Sequence, residues 1–204
     1  NINNAHRLFE LHTEKSRRVR DILMELGPAG TPGNARVCRA RVTMAASPVL
    51  RKSAYAGMLF NGQGRPLNPD GFSSTLHASM GGNKTPIIDE DQVFRGRPSW
   101  VEQYHSHLMA GGKPLAFDAA PGFLRRLTVD EALRLQTFPN EYKFAGAQGH
   151  VFTQIGNAVP CNLAKAVGLV AKDILGDEFD DLMASFEAST GPNHQRQLDL
   201  ATSA

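Results

Sequence analysis

The stretch RRLTVDEALRLQTFP, residues 125–139, constrains the fold of this chain more than any other stretch. The Thr128 side chain can accept a hydrogen bond from the backbone N–H of Glu131, and the Glu131 carboxylate can bond the N–H of Thr128 in return. This capping box defines the start of a helix, and the apolar residues after it give the helix one buried face. Phe138-Pro139 ends the helix, because proline cannot continue it. The spacing therefore predicts a short amphipathic helix that packs on a core.

A second helix is predicted from about Asn162 to Leu175, where apolar residues recur on one side and Gly176 follows. Between the two helices lies QIGNAVPCN, residues 154–162, which has the composition of a glycine turn. Pro160 suits the first position of a helix, where its missing N–H removes no hydrogen bond. A turn of this kind can bind a polar ligand through free N–H groups, although most such turns only begin a helix.

The rest of the chain predicts less regular structure. An amphipathic helix is expected over about residues 4–26, and RVCRARVTM, residues 36–44, has strand character. Over residues 53–98 short apolar pieces alternate with Gly, Asn and Pro, which predicts short strands and long loops. The stretch WVEQYHSHLMAGGKPL, residues 100–115, is expected to hold a single helical turn.

Composition argues against several classes of protein. The two cysteines, Cys38 and Cys161, form neither a disulfide framework nor a zinc site, and His105 and His107 have no set of metal ligands near them in sequence. No apolar run approaches the roughly 20 residues that span a bilayer, and the N-terminal residues lack the pattern of a secretory leader. We therefore expect a cytoplasmic protein without a metal and without a membrane partner.

Charge is unevenly distributed along the chain, although the net charge is only +2. Arginine and lysine crowd the first third, whereas aspartate and glutamate crowd the C-terminal end. This asymmetry favours a polyanion as the partner of the front and middle of the chain. On charge alone, an ordinary solvated surface is an equally good interpretation.

Two of these stretches resemble a known family. RRLTVDEALRLQTFP and the later QIGNAVP are similar to the last two sequence motifs of the DNA (cytosine-5)-methyltransferases, which read roughly R-x-L-T-x-x-E-x-x-x-L-Q-x-F-P and Q-x-G-N-x-V-P. The preceding NGQGRPLNPDGFSSTLHASMGGNKTPIID, residues 61–89, resembles a target-recognition region of that family. The resemblance covers about residues 55–175.

The resemblance implies an α+β fold. A mostly β target-recognition domain would be flanked by helices, and a C-terminal helix would complete a Rossmann-like methyltransferase domain that is largely absent from this chain. Residues 1–52 would then be an N-terminal helix and linker, residues 53–120 the recognition region, residues 121–176 the C-terminal motifs and residues 177–204 an acidic tail.

Other motifs of the family are not found in these residues: the Gly-rich loop for S-adenosylmethionine, the Pro-Cys-Gln nucleophile loop and the Glu-Asn-Val acid. The expected function is that of a C-terminal fragment or subunit of a DNA (cytosine-5)-methyltransferase. It would recognise the DNA target, complete the S-adenosylmethionine site and be inactive alone. Its expected partners are double-stranded DNA and a catalytic domain or subunit that carries the nucleophile loop. The alternatives are a non-catalytic sequence-specific DNA-binding protein and a protein-interaction module.

The candidate site has two parts. By resemblance, the contacts to the methionine end of S-adenosylmethionine are Gly156, Asn157, Ala158 and Val159. The expected DNA contacts are Arg65, Thr75, Ser79, Gly81, Gly82, Asn83, Lys84 and Arg97. Within the loop ASMGGNKTP the two glycines permit positive φ, the asparagine can pair bidentately with adenine, and the lysine can meet a guanine edge or a phosphate. A hairpin turn with solvated polar residues is the alternative for this loop.

Cys161 stands directly after Pro160, where a turn could present a nucleophilic thiolate. The nucleophile of the family precedes a glutamine, whereas Cys161 precedes Asn162, at a place where relatives commonly carry a second proline. Cys161 is therefore expected to be a buried or half-buried thiol at the start of a helix, and no catalytic residue is assigned to this chain.

Overall fold

Two small antiparallel sheets and a series of short helices make up the computed structural model, which describes residue 10 and residues 15–190. The chain divides into two units. The larger unit comprises Ser16–Glu141 and Gly146–Ala158, and the smaller unit comprises Asn1–Lys15, Tyr142–Ala145 and Val159–Ala204. Within the described residues, no helix is both long enough and apolar enough to cross a membrane.

The larger unit contains four strands and five of the described helices. In chain order they are α1 (Val19–Leu26), β1 (Met44–Val49), β2 (Met58–Phe60), β3 (Ile87–Asp89), α2 (Glu90–Phe94), α3 (Trp100–Met109), β4 (Leu124–Arg126), α4 (Val129–Leu135) and α5 (Gln148–Asn157). Short 3₁₀ helices span Pro32–Asn34 and Gly82–Lys84. The smaller unit contains α6 (Cys161–Leu175) and α7 (Asp177–Thr190).

Each sheet has two strands. β1 pairs antiparallel with β2, with Met44 opposite Phe60, and its register shifts before Val49. β3 pairs antiparallel with β4, so that Ile87 lies opposite Arg126. The main hydrophobic core joins residues of both sheets to one face of α3. Its buried members are Val42, Met44, Ala54, Leu59, Phe60, Ile87, Val101, Tyr104, Leu108 and Leu124.

The predicted helix after residue 127 is confirmed as α4, together with its capping box. The Thr128 hydroxyl accepts from the Glu131 N–H at 3.0 Å, and the Glu131 carboxylate accepts from the Thr128 N–H at 2.9 Å. Both residues are fully buried. The predicted second helix is confirmed as α6, which begins at Cys161 directly after Pro160.

A buried polar network surrounds this capping box. Arg125, the arginine of the R-x-L-T motif, donates to both oxygens of Glu131 at 2.6 and 2.8 Å and to Glu90 at 2.6 Å. The Asn34 amide donates to Glu131 at 3.0 Å, and the Thr128 hydroxyl donates to the Asn34 amide oxygen. Burial lowers the pKa of Arg125, but the two carboxylates outweigh that effect and raise it. The motif therefore serves the structure of the larger unit.

Three expectations from the sequence are wrong. Within residues 36–44 only Met44 belongs to a strand, because the backbone of Arg36 bonds Asp130 and Val129 instead of a neighbouring strand. The recognition region is not mostly β, since β2 and β3 have three residues each whereas α2 and α3 have five and ten. The single turn expected at residues 100–115 is the ten-residue α3, whose first turn is capped by the Ser99 side chain.

The glycine turn expected at QIGNAVPCN is also corrected. Residues 154–157 form the last turn of α5, and the turn proper begins at Ala158. The Gln136 side chain stabilises this helix end, because its amide donates to the carbonyls of Ile155 at 3.0 Å and Ala158 at 3.3 Å. A glutamine of the first motif thus donates hydrogen bonds to carbonyls at the end of the helix of the second motif.

The two ends of the chain were also assigned structure from the sequence. Of the helix expected over residues 4–26, the structure gives α1; residues 1–9 and 11–14 lie outside the described residues. Of the acidic tail, residues 177–190 form α7, and residues 191–204 lie outside the described residues.

Candidate functional site

A cleft of about 520 Å³ in the larger unit collects polar side chains from three separate segments of the chain. Four of the predicted DNA contacts line it: Arg65, Thr75, Ser79 and Lys84, all of them exposed. The other lining residues are Met58, Gln63, Gly64, Ser74, His77 and Pro86. Among the described residues that line the cleft there is no carboxylate, so the two cations give it a positive charge.

Backbone hydrogen bonds hold the first wall of the cleft, residues 63–65, against the second wall, residues 84–86. The N–H of Gly64 donates to the Asn83 carbonyl at 3.3 Å, and the Arg65 carbonyl accepts from the Ile87 N–H at 3.0 Å. Glycine is required at residue 64, because a Cβ there would collide with the Thr85 carbonyl. The backbone is therefore fixed while the side chains of Arg65 and Lys84 extend into solvent.

The third segment, residues 74–79, is anchored by apolar neighbours. Leu76 and Met80 are buried, whereas Thr75, His77 and Ser79 alternate with them on the exposed side. Helix α5 supports the loop from the other direction: a Cβ on Gly156 would collide with the His77 carbonyl and would lie 2.7 Å from the Ala78 nitrogen. The glycine of Q-x-G-N-x-V-P is thus needed for close backbone packing.

Four predicted DNA contacts do not line the cleft. Gly81 and Gly82 have φ of 139° and 53°, values that favour glycine, and both are open to solvent on the Cβ side. Asn83 is exposed and lies between them and Lys84 in a 3₁₀ turn. The alternative of a hairpin is wrong, because the strand that follows, β3, pairs with β4.

Arg97, the fourth, is held away from the cleft lining by Asp91. The Asp91 carboxylate is buried and bonds Arg97 at 2.7 Å and Arg95 at 2.5 Å. Both arginines remain exposed, with side chains 64% and 62% accessible. One carboxylate therefore neutralises half of the charge that this pair would present.

Some arginines in the first third of the chain also form ion pairs within the larger unit. Arg20 bonds Asp70 at 2.8 Å and donates to the carbonyls of Gln92 and Val93 at 2.7 and 2.9 Å. The hydrogen bond between Arg20 and Asp70 raises the pKa of the guanidinium and lowers that of the carboxyl. Arg36 is similarly paired with Asp130. Part of the positive charge in the first third of the chain is therefore compensated in three dimensions.

Of the four residues assigned to the cofactor, Asn157 has a polar side chain to offer. It is exposed at the last position of α5, and it makes no side-chain hydrogen bond within the described part of the chain. The backbone of Ala158 is already used, since its N–H donates to Ile155 and its carbonyl accepts from Gln136. Val159, in the smaller unit, is 59% exposed and apolar. The fit to a ligand with an amino-acid end therefore rests on Asn157.

Cys161 occupies the first position of α6 and is partly buried. Burial raises the pKa of its thiol, which is opposite to the shift that activates a cysteine nucleophile. The other cysteine, Cys38, is buried, with its sulfur 3.9 Å from the Thr85 hydroxyl. Within residue 10 and residues 15–190, no three His, Cys, Asp or Glu side chains are grouped to hold a metal ion.

Sequence reasoning missed three polar residues of the cleft: Gln63, Ser74 and His77. The exposure of His77 could have been predicted from the sequence around it. In STLHASM the buried Leu76 and Met80 are separated by polar residues, and an alternation of this kind places Thr75, His77 and Ser79 on the exposed side. No comparable pattern marks Gln63, which the fold brings to the cleft.

Comparison with known proteins gives a consistent set of relatives. A type II methyltransferase of Psychrobacter sp., M.PspPI, is 37% identical over 89 residues, which are 44% of this chain and 20% of that protein. M.AgeI of Thalassovita gelatinovora is 31% identical over 124 residues, 57% of this chain and 29% of that protein. DNA (cytosine-5)-methyltransferase 2 of Arabidopsis thaliana is 49% identical over 51 residues, which are 25% of this chain and 3% of that protein.

The chain thus spans between a fifth and three tenths of the two bacterial relatives. Among solved structures, the S. pombe Dnmt2 methyltransferase matches 86% of this chain and 48% of its own, with a TM-score of 0.46 and 18% identity. The family model described as "C-5 cytosine-specific DNA methylase" matches residues 3–173. Because that match covers most of its length, this chain belongs to the family of C-5 cytosine-specific DNA methylases.

Proposed function

We propose that this chain is the part of a DNA (cytosine-5)-methyltransferase that recognises the DNA target and completes the S-adenosylmethionine site. One observation carries the proposal: the positive cleft in which Arg65 and Lys84 meet a row of hydroxyl, amide and imidazole side chains. We assign residues 53–120 to target recognition and residues 121–176 to the completion of the methyltransferase domain.

The chemistry of the family explains why such a part is needed. A cysteine thiolate attacks cytosine C6 and thereby makes C5 nucleophilic enough to accept a methyl group, after the base has left the duplex. S-adenosylmethionine is the methyl donor of the family. Cys38 is buried, and burial raises the pKa of the Cys161 thiol, opposite to the shift that activates a cysteine nucleophile. The role left to this chain is to hold and read the duplex.

The cleft combines the two kinds of contact that such a role needs. Lysine and arginine bind phosphates irrespective of sequence, and polar side chains discriminate base edges in the major groove. Arg65 and Lys84 are exposed, with no carboxylate beside them in the cleft. Thr75, His77 and Ser79 offer donors and acceptors, and Asn83 is exposed next to Lys84. Two cations with several neutral polar groups suit a duplex better than a small anion.

Replacing Arg65 with alanine is expected to weaken binding of all duplexes alike and to reduce the salt slope of the affinity by about 1, because one phosphate contact is lost. Replacing Asn83 is expected to cost about 1–3 kcal/mol at a single base position. Fluorescence anisotropy at several salt concentrations, with duplexes that differ at one position, measures both effects.

The matched control is Arg17→Ala, which removes an exposed arginine already paired with Glu25. It should leave both the salt slope and the sequence preference unchanged. An equal loss in Arg17→Ala and Arg65→Ala would mean that only the overall charge matters, and duplex binding that is indifferent to salt would contradict the proposal.

The exposed apolar surface of the smaller unit is consistent with the partner we propose, a catalytic domain or subunit that carries the nucleophile loop. Apolar side chains of α6 and α7 are between 40% and 59% exposed: Leu163, Val167, Ile174, Leu175, Leu182 and Met183. Apolar surface of this kind on helices is typical of an interface. Since the bacterial relatives are several times longer than the matched region, the remainder of such a methyltransferase is the partner we propose for it.

A mixing experiment tests this division of labour. The chain alone is expected to transfer no tritiated methyl group to DNA, and addition of a polypeptide with the missing motifs is expected to restore both cofactor binding and transfer. Asn157→Ala should then weaken cofactor binding while duplex binding persists, because the cleft does not include Asn157. Transfer by the chain alone would refute the proposal. Duplex binding without any gain on mixing would favour a non-catalytic DNA-binding protein.

Cys161→Ser is expected to leave methyl transfer by the assembled enzyme within about tenfold of normal, a barrier change of about 1.4 kcal/mol. The physical reason is that Cys161 is the first residue of α6 and its partial burial raises the pKa of the thiol, whereas a nucleophile needs a lowered one. Trapping with a duplex containing 5-fluorocytosine checks the assignment. A covalent adduct on Cys161 would reverse it.

A further inference from the structure

A buried arginine without an acidic partner among the described residues lies next to Gly64, which lines the cleft. Arg126 is 1% exposed and is among the largest fully buried side chains of the described chain. It occupies the open position of the R-x-L-T motif, at the end of β4 and opposite Ile87 of β3. Within residues 15–190 no carboxylate pairs with it, and its Nε has no hydrogen-bond partner. Because a buried charge without a carboxylate is costly, its presence calls for a physical explanation.

The guanidinium joins the two walls of the cleft. Its Nη1 donates to the Thr85 carbonyl at 2.8 Å, and its Nη2 donates to the Asn61 carbonyl at 3.1 Å. Thr85 directly follows Lys84, and Asn61 begins the segment that leads to Arg65. One planar group therefore bonds the backbone of both segments that carry the cations of the cleft.

The glycines of the first wall fit this arrangement. A Cβ on Gly64 would lie 2.5 Å from Nη1 of Arg126 and would collide with the Thr85 carbonyl, so the guanidinium takes the space that a side chain at residue 64 would need. A Cβ on Gly62 would collide with the Asn83 backbone. The two walls are thus in close backbone contact, and the Arg126 guanidinium is packed against that contact at Gly64.

The charge of Arg126 also favours binding of a polyanion at the cleft. Burial lowers the pKa of Arg126, yet an arginine stays charged at neutral pH. Its charge is stabilised by the carbonyl dipoles of Thr85 and Asn61, which belong to the same two segments that carry Lys84 and Arg65. In a region of low dielectric, such a charge adds to the attraction for a polyanion at the opening.

From this geometry we propose that Arg126 is a positioning residue, which sets the distance between Arg65 and Lys84 and so tunes the cleft for adjacent phosphates of a duplex. The inference rests on the proposed function, since it assumes that the cleft binds DNA. Arg126 itself touches no DNA. It acts through the carbonyls of Asn61 and Thr85.

Two variants, Arg126→Lys and Arg126→Met, separate the effect of the charge from that of the bridge, by which we mean the hydrogen bonds to both the Asn61 and the Thr85 carbonyl. The lysine keeps the charge but cannot reach both carbonyls with one ammonium group, and the methionine removes both. Once the variants are shown to be folded by circular dichroism, we expect Arg126→Lys to weaken duplex binding by a factor of about ten through loss of the bridge, and Arg126→Met to weaken it further because the charge is lost as well. Native affinity in a folded Arg126→Lys would overturn the proposal, because the charge alone would then suffice.

Arg20→Lys is the matched control. Arg20 also donates to two backbone carbonyls of the larger unit, those of Gln92 and Val93, but it does not line the cleft. Its replacement should lower the urea midpoint without a change in duplex affinity. If Arg20→Lys weakened duplex binding as much as Arg126→Lys does, a general loss of stability would explain both results, and the positioning role would be refuted.

A titration of the unaltered chain decides the matter even if the variants do not fold. Guanidinium N–H signals of Arg65 and Arg126 are followed by nuclear magnetic resonance as a short duplex is added. We expect both to shift with one midpoint. A shift of Arg65 without Arg126 would overturn the positioning role but leave the cleft as the DNA site. If neither signal moved, the proposed function would fail, and the inference with it.

Discussion

Replacing Glu131 with alanine is expected to destabilise the larger unit by about 3–5 kcal/mol, because the change leaves the charge of Arg125 buried without its main partner. Arg125 bonds both oxygens of Glu131, and its side chain is only 13% exposed. The same change removes an acceptor from Asn34 and one half of the capping box of α4. Loss of the cap alone costs about 1 kcal/mol, so the buried charge dominates the effect.

Urea unfolding followed by circular dichroism measures this effect. Glu25→Ala is the control, because Glu25 pairs with Arg17 through side chains that are 57% and 52% exposed. An exposed pair of this kind is worth about 0.2–1 kcal/mol, so the control should stay close to the native midpoint. Glu131→Gln, which keeps the shape but removes the charge, is expected to fall between the two. Similar midpoints for Glu131→Ala and Glu25→Ala would contradict the role given to the network.

Gly156→Ala is expected to destabilise the larger unit by about 1–3 kcal/mol through overpacking and to displace the loop of residues 74–79. A methyl group at this position would collide with the His77 carbonyl, and neither backbone can yield without moving the other. Because Thr75, His77 and Ser79 line the cleft, duplex affinity should fall as well. This effect on DNA distinguishes packing from a cofactor contact.

The same helix offers a matched control. Gly149 also lies in α5, but a Cβ built there meets nothing within 4 Å. Gly149→Ala should therefore be neutral or stabilising by up to about 1 kcal/mol, since alanine favours the helix. The urea midpoint should fall for Gly156→Ala and stay the same or rise for Gly149→Ala. If Gly156→Ala weakened only S-adenosylmethionine binding by the assembled enzyme and kept the native midpoint, the resemblance would have identified its role and the packing argument would be wrong.

Local hydrogen bonding explains what could be predicted well. The capping box of α4 joins two residues three positions apart, and α6 follows from apolar spacing between a proline and a glycine. The ten-residue α3 is longer than the single turn that the sequence predicts, although Ser99 and Glu102 have the spacing of a cap at its start. Its buried residues Val101, Tyr104, His105 and Leu108 recur at helical spacing, which the apolar pattern alone marks over only two turns.

The family, too, could be predicted from the sequence, because the two C-terminal motifs are long and stand in the right order. What the motif residues do could not. Arg125, Glu131 and Gln136 bond groups distant in sequence, such as Asn34, Glu90 and the carbonyl of Ala158. Their roles in the larger unit depend on contacts that no local pattern records.

By itself, the sequence determined helices α4 and α6 and the family, because the capping box, the apolar spacing and the two motifs are local patterns. Only the tertiary structure decided which of the residues predicted to contact DNA lie together. Arg65, Thr75, Ser79 and Lys84 meet in one cleft, whereas Arg97 is retained by Asp91 outside its lining. The physical reason is that the walls of the cleft are set by backbone contacts at Gly64 and Gly156 and by the buried Arg126, and such contacts form only after the chain has folded.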